Sequence, residues 1–222
     1  MKTLSILTIL LLSFVFVSAQ TEQAPIQEKA LNYKNWTYKN VRGDGETSLR
    51  DFARGKKLVM VVYFAPWCPN WKHEAPFAQK MYEKYKANGF DVIGVGEYDT
   101  IEKMKAHLDT FKLTFPVVYE SASTDAKQKT THYEYRKSVG DTRNWGSPWN
   151  IFLEPAVLEK KGDVLLKKAF VVNGELIEPE TEKFIREKLG LIPEDKKAQT
   201  AENKSIEVCE PEKKIASLKQ PE

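Results

Sequence analysis

A nearly unbroken apolar stretch that leads into a helical pattern constrains the fold of this chain most strongly. Residues 57–64 (Lys-Leu-Val-Met-Val-Val-Tyr-Phe) lack the polar–apolar alternation of a strand with one face in water. Such a run is typical of a central strand that is buried on both faces. Residues 69–88 then carry apolar side chains at helical spacing, and Gly89 supplies a stop. We therefore predict a buried strand that runs directly into a helix.

The rest of the chain alternates strand-like and helix-like segments, which favours an α/β fold with a partly parallel sheet. Strands are predicted at residues 91–98, 116–119 and 149–153, and helices at residues 101–111, 125–139 and 179–189. Two hairpins are predicted to turn near residues 162–163 and 173–174. Pro76, inside the first helix, is expected to kink it.

The first residues have the layout of a secretory signal peptide. Lys2 precedes an apolar run, and Val-Ser-Ala at residues 17–19 is a small-residue cleavage site. We predict a signal peptide over residues 1–19 and export to the periplasm or the extracellular space. The apolar run is shorter than the roughly 20 residues that a membrane-spanning helix needs, so no stable membrane insertion is expected after cleavage.

We expect the remainder of the chain to form three parts. Residues 20–46 form an N-terminal extension with room for an edge strand, and residues 47–190 form the main domain. Residues 191–222 are mostly Glu, Lys, Gln, Ala and Pro, which predicts a flexible charged tail. The formal net charge of +3 is spread over interleaved acids and bases, so no nucleic-acid partner is expected.

The chain has two cysteines, Cys68 and Cys209. In an exported protein a structural disulfide between them is one interpretation, but Cys209 lies in the predicted tail, where such a link fits badly. Cys68 follows the buried strand and precedes the helix, so it lies at the carboxyl edge of the sheet and at a helix N-terminus. That position favours the thiolate form.

The three histidines have no metal-ligand spacing with one another or with the cysteines. We therefore expect each of them on the surface, with no metal site. The histidines are His73, His107 and His132.

The surroundings of Cys68 resemble the TlpA/ResA-like branch of the thioredoxin superfamily, exported thiol reductases related to the redoxin and AhpC/TSA group. The resemblance covers residues 47–189 and is carried by the segments 48–52 (Ser-Leu-Arg-Asp-Phe), 65–68 (Ala-Pro-Trp-Cys) and 113–118 (Leu-Thr-Phe-Pro-Val-Val). It implies a thioredoxin-like fold with a central mixed β-sheet flanked by helices, and thiol-disulfide chemistry at Cys68. It further implies that Glu74 is a partly buried carboxylate that tunes the thiol, and that Pro148 follows Ser147 through a cis peptide bond opposite Cys68.

The sequence departs from this family at one position. Trp71 stands where the second cysteine of a C-x-x-C motif is expected. A dithiol closes on itself and releases its substrate, whereas Cys68 alone forms a mixed disulfide that it cannot resolve locally. The entropic cost of closing a loop rises only slowly with the length of the loop. A distant cysteine such as Cys209 is therefore a candidate resolving thiol. Active peroxiredoxins have Pro and Thr or Ser upstream of their cysteine, where this chain has Val61 and Ala65.

Several tryptophans flank Cys68 or Pro148, which predicts an aromatic substrate groove with Trp71 at its surface rather than in the core. The predicted groove residues are Trp67, Trp71, Ser147 and Trp149.

Three functions remain in competition. The first is a monothiol oxidoreductase that acts on exported proteins or low-molecular-weight thiols and disulfides. The second is a non-catalytic thioredoxin-like binding module, and the third is a one-cysteine peroxidase. None of them implies a tightly held cofactor.

Overall fold

The computed structural model describes residues 22–192, so the predicted signal peptide (1–19), nearly all of the predicted tail (191–222) and Cys209 lie outside the described residues. The described strands are β1 (Gln23–Ala24), β2 (Gln27–Lys34), β3 (Thr37–Asn40), β4 (Glu46–Ser48), β5 (Leu58–Phe64), β6 (Phe90–Gly96), β7 (Val117–Tyr119), β8 (Trp149–Leu153), β9 (Val164–Val172) and β10 (Glu175–Leu176). The described helices are α1 (Leu49–Ala53), α2 (Pro69–Tyr85), α3 (Ile101–Thr110), α4 (Thr131–Ser138) and α5 (Glu178–Lys188).

Eight of these strands form one mixed sheet in the order β2-β9-β8-β5-β6-β7-β3-β4. Strands β5, β6 and β7 are parallel, whereas β8 and β9 run antiparallel to their neighbours. The prediction of an α/β fold with a central mixed sheet flanked by helices is confirmed. Within the described residues no helix is both long and apolar enough to cross a lipid bilayer.

Strand β5 is the centre of the molecule, and every one of its residues is buried. Because side chains alternate along a strand, its even-numbered residues pack against α2, α3 and α5 on one face. Its odd-numbered residues pack against α1 and α4 on the other face. Burial on both faces is what the unbroken apolar run at residues 57–64 predicts, and β5 ends four residues before Cys68.

The N-terminal extension contributes more than one edge strand. Strand β2 pairs with β9 at one edge of the sheet, and β3 pairs with β7 and β4 towards the opposite edge. Most pairing partners of these strands lie more than 70 residues away in the chain, so local sequence patterns give no indication of them.

The prediction of a hairpin near residues 173–174 is wrong. Strand β10 pairs in parallel with β1 and not with β9. The Glu175 N–H donates to the Glu22 carbonyl over 2.9 Å. A Cβ at Gly174 would overlap this same carbonyl, so the absence of a side chain there lets the N-terminal segment approach.

The other elements lie close to their predicted positions, with one clear difference. The helix predicted at residues 125–139 begins only at Thr131, because the Thr130 side chain caps it by accepting a hydrogen bond from the Tyr133 N–H. Helix α2 continues through Pro76.

Candidate functional site

Cys68 is the N-cap residue of α2, and Pro69 occupies the first helical position. The first intrahelical hydrogen bond runs from the Lys72 N–H to the Cys68 carbonyl over 3.1 Å. Pro69 has no N–H, and the N–H groups of Asn70 and Trp71 have no intrahelical acceptor at this end of a helix. Two backbone donors and the positive end of the helix dipole therefore lie beside the Cys68 side chain. Cys68 is 7% exposed.

The Cys68 thiol faces the loop that enters β8. Its Sγ donates a hydrogen bond to the Ser147 carbonyl over 3.0 Å, and the Ser147–Pro148 peptide bond is cis, as predicted. The Ala65 N–H donates to the Ser147 Oγ over 2.9 Å. Two hydrogen bonds thus hold this loop against the segment between β5 and α2. The structure brings Cys68, Ser147 and Pro148 together.

Glu74 lies on α2 and is more deeply buried than predicted, with 2% of its surface exposed. Its Oε2 accepts hydrogen bonds from the Leu176 N–H over 2.8 Å and from the Asn150 amide over 3.3 Å. Burial raises the pKa of Glu74 to about 8, although both hydrogen bonds oppose the shift. Its hydrogen bonds connect α2 to β8 and β10 and do not reach Cys68.

The prediction that Trp71 lies on the surface or in a groove is wrong. Trp71 is fully buried, and its ring stacks on Phe64 with a centroid separation of 4.7 Å. Its indole N–H donates to the His107 Nε2 over 2.7 Å. Because residues spaced by three and four share one side of a helix, Trp71 lies on the same core-facing side of α2 as Ala75 and Ala78.

The predicted groove position of Trp149 is wrong as well. Trp149 belongs to the central sheet, is fully buried, and packs against Tyr63 at a centroid separation of 5.4 Å. Its indole N–H donates to the Asn173 side chain over 2.8 Å.

Two other tryptophans are partly exposed beside Cys68. Trp67 and Trp145 meet edge to face at 5.1 Å, and the Trp67 indole N–H donates to the Tyr98 carbonyl over 3.3 Å. This pair therefore provides partly exposed aromatic surface near Cys68.

Two of the three histidines are buried, so the prediction of surface positions is wrong for His107 and His132. The indole of Trp71 only donates hydrogen bonds, so the His107 Nε2 must accept and the ring proton lies on Nδ1. Burial lowers the pKa of His107 to about 4, with a smaller contribution from Lys72. His73 keeps an exposed side chain beside Glu175. Residues 22–192 contain no cluster of metal-ligating side chains.

Sequence reasoning missed a pair of charged residues in the loop before Pro148. Arg143 donates from Nε and Nη2 to the buried Asp141 carboxylate, and Nη2 also donates to the Pro148 carbonyl over 3.0 Å. The fully buried Arg136 donates to the Arg143 carbonyl and lies 3.6 Å from an Asp141 oxygen. The close spacing of these charges just before Pro148 was the available indication in the sequence.

The family model described as the AhpC/TSA family matches residues 26–139, just over half of the 222-residue chain. The thiol-disulfide oxidoreductase ResA of Oceanobacillus iheyensis is 34% identical over 29% of this chain and 33% of its own length. The thioredoxin-like protein YneN of Bacillus subtilis is 30% identical over 45% of this chain and 58% of its own length. The chloroplastic peroxiredoxin Q of Triticum aestivum is 28% identical over 71% of this chain and 63% of its own length. The chain thus spans less than two thirds of each of these relatives.

Solved structures share the fold at low sequence identity. A thiol:disulfide interchange protein of the thioredoxin family from Chlorobium tepidum TLS has a TM-score of 0.52 at 19% identity, covering 72% of this chain and 97% of that one. A DsbF homologue from Corynebacterium diphtheriae has a TM-score of 0.50 at 15% identity, covering 72% of this chain and 87% of that one. The protein therefore has a thioredoxin fold, and the chain belongs to the AhpC/TSA family.

Proposed function

We propose that this protein is an exported thiol-disulfide oxidoreductase that uses Cys68 as its single attacking thiol. The observation that carries the proposal is the contact between the Cys68 Sγ, at the start of α2, and the Ser147 carbonyl. Similarity to ResA thiol-disulfide oxidoreductases supports it. The secretory pattern of residues 1–19 supports export.

In the proposed reaction the Cys68 thiol first loses its proton to solvent. The thiolate attacks one sulfur of a substrate disulfide, a new bond forms between the Cys68 Sγ and that sulfur, and the other half leaves as a thiolate that takes a proton from solvent. One substrate sulfur is thereby reduced to a thiol, and Cys68 is oxidised to a mixed disulfide with the other. After deprotonation, Cys68 no longer donates a hydrogen bond to the Ser147 carbonyl. The backbone N–H groups of Asn70 and Trp71 remain available to donate hydrogen bonds to the negative sulfur.

Release of Cys68 needs a second thiol from elsewhere, because the described residues contain no other cysteine. A low-molecular-weight thiol attacks the substrate-derived sulfur, forms a new disulfide with it, and expels the Cys68 thiolate. Alternatively, Cys209 attacks the Cys68 sulfur, forms a Cys68–Cys209 disulfide and releases the reduced substrate. Cys209 lies outside the described residues, so its role is proposed from the sequence alone.

Mass spectrometry of the reduced mature chain after addition of a peptide disulfide tests this cycle. In a Cys209→Ser background we expect one peptide adduct, on Cys68, and none when Cys68→Ser is added. If Cys209 is the resolving thiol, Cys209→Ser accumulates the adduct, whereas the unaltered chain progresses to a Cys68–Cys209 disulfide. Full disulfide-exchange activity in Cys68→Ser would overturn the proposal.

A second candidate function is client binding without turnover. It is favoured by the small exposure of Cys68, 7%, and by the complete burial of Trp71 at the position predicted for a resolving thiol. Under this alternative, client capture survives Cys68→Ala, whereas a thiol-dependent enzyme loses covalent capture.

Peroxide reduction is the less favoured alternative within this family. One relative is a peroxiredoxin, but the alanine at residue 65 offers no hydroxyl, and its N–H is already bonded to Ser147. We therefore expect slow oxidation of Cys68 by stoichiometric hydrogen peroxide.

A further inference from the structure

We propose that Arg143 and Asn70 form a carboxylate-binding site beside Cys68, and that this site selects disulfide substrates with a negative charge close to the reacting sulfur. The inference rests on the thiol-disulfide exchange proposed above and names the substrate class of the same site. The site is occupied in the structure by the protein's own Glu22.

The two donors converge on a single carboxylate oxygen. The Glu22 Oε2 accepts a hydrogen bond from the Asn70 amide over 2.9 Å and lies 3.5 Å from the Arg143 Nη1. Asn70 lies in the first turn of α2, two residues after Cys68. Arg143 comes from the other side, in the loop that leads to the cis Ser147–Pro148 bond. A carboxylate at this point therefore bridges the two segments that hold the thiol.

Cys68 and Arg143 contact the same dipeptide. The thiol donates to the Ser147 carbonyl and the Arg143 Nη2 donates to the Pro148 carbonyl over 3.0 Å. An extended substrate that pairs beside this dipeptide, with its sulfur at Cys68, would place a neighbouring side chain near the guanidinium. The carboxylate site would therefore lie beside the residue next to the reacting cysteine of a substrate.

Arg143 is oriented before any ligand arrives. Its Nε and Nη2 are held by Asp141, which leaves Nη1 directed at Glu22. Asp141 is also 3.6 Å from the buried Arg136, so two guanidinium groups face one carboxylate. The side chain of Arg143 is only 15% exposed, which reduces the solvent screening of a charge bound there. A fixed, planar guanidinium suits a carboxylate better than a flexible ammonium does.

Glu22 is suited to be displaced. Its side chain is 48% exposed, and exposed ion pairs contribute little to stability. Its backbone is held separately, because the Glu22 carbonyl accepts from the Glu175 N–H. The side chain can therefore rotate away without loss of the β1–β10 pairing. As long as it stays, it competes with a substrate carboxylate.

The test compares two disulfide probes that differ in charge. Dithiobis(nitrobenzoate) carries a carboxylate on each ring, and dithiodipyridine is neutral. Rates are measured in a Cys209→Ser background, so that only Cys68 reacts. For each probe, the rate of a variant is divided by the rate of the Cys209→Ser parent with the same probe. This ratio removes the intrinsic difference in reactivity between the two probes.

We expect Arg143→Gln and Asn70→Ala to slow the anionic probe about fivefold and to change the neutral probe less than about twofold. Glu22→Gln should accelerate the anionic probe alone. The matched control is Arg54→Gln, which removes one positive charge from an exposed Arg–Asp pair on the opposite face of the sheet and should leave both rates unchanged.

The outcomes separate this inference from the proposed function. If neither probe modifies Cys68, the proposed function itself fails. If both probes react and every variant changes the two rates by the same factor, the carboxylate site is overturned and the exchange chemistry stands. Should Arg143→Gln fail to fold, Glu22→Gln decides, because it leaves the Arg143–Asp141 contact intact. Peptide disulfides with Glu or Gln beside the cysteine then show whether the preference extends from small molecules to polypeptides.

Discussion

The indole N–H of Trp71 donates a hydrogen bond to the Nε2 of His107 over 2.7 Å, and both side chains are buried between α2 and α3. The residue at the position predicted for a second cysteine is therefore part of the core. His107 in turn packs against Phe111 at a centroid separation of 4.6 Å. Trp71 therefore helps to pack α2 against α3 through His107.

Trp71→Cys should destabilise the protein, although it recreates a C-x-x-C sequence. Removal of a fully buried indole leaves a cavity and an unpaired His107 nitrogen, which together should cost about 3–5 kcal/mol. Urea denaturation under reducing conditions measures the loss. The partly exposed Trp67 is the control, and Trp67→Cys should cost clearly less. Equal losses for the two variants would contradict the assignment of Trp71 to the core.

Glu74 should make the protein less stable as the pH rises. Its pKa is raised from 4.5 to about 8 by burial, so between these values the unfolded chain has lost the proton that the folded chain retains. The free energy of unfolding therefore falls through this window and levels off above it. Glu74→Gln should remove this dependence and gain on the order of 5 kcal/mol relative to the parent between acid and alkaline pH.

Denaturation of Glu74→Gln and of the parent at acid, neutral and alkaline pH gives this difference directly. Glu182→Gln is a suitable control, because hydrogen bonds from Lys84 and Tyr85 lower the pKa of that carboxyl. It should not gain stability with rising pH. A constant difference between Glu74→Gln and its parent at all pH values would refute the prediction.

Local patterns were sufficient to predict the centre of the fold and the thiol itself. The apolar run of β5, the helical pattern of α2 and the N-cap position of Cys68 are encoded within residues 57–88. The cis bond before Pro148 was implied by family resemblance rather than by local physics. The pairing of β10 with β1 was missed, because it depends on segments about 150 residues apart.

The aromatic groove was predicted wrongly for a definite reason. Proximity in sequence to Cys68 or Pro148 does not tell which side of an element a tryptophan occupies. Trp71 lies on the core-facing side of α2, and Trp149 is in the central strand β8, so both are buried. The donors Asn70 and Arg143, by contrast, come from the first turn of α2 and from the loop before Pro148. Their convergence on Glu22 needs the three-dimensional structure to be seen.

His107 should destabilise the folded protein in acid. Its pKa is lowered from 6.5 to about 4, first by burial and then by Lys72. Between these values the unfolded chain binds a proton that the folded chain does not, so stability falls as the pH decreases through this window. His107→Gln retains an acceptor for the Trp71 indole and should make stability less dependent on pH there. The measurement is the difference in unfolding free energy between the variant and the parent across this pH range. This difference should shift in favour of the variant as the pH falls. A difference that does not change with pH would contradict the burial of His107.

The loop before Pro148 offers a test of how the thiol's partner is held. Gly146 has φ +60° and Gly140, in the same loop, has φ +82°. A Cβ at Gly146 would overlap the buried Arg136 guanidinium, whereas one at Gly140 would meet nothing within 4 Å. Gly140→Ala should therefore cost only the left-handed backbone penalty of about 1–2 kcal/mol.

Gly146→Ala should cost about 3 kcal/mol or more, because Arg136 must leave Asp141 and a buried charge loses its partner. It should also change the reaction rate of Cys68 with dithiodipyridine, since the displaced loop carries the Ser147 carbonyl that the thiol contacts. Gly140→Ala should leave that rate unaltered, because its side chain points into open space. Equal losses of stability and equal reaction rates in the two variants would contradict the close approach of Gly146 to the Arg136 guanidinium.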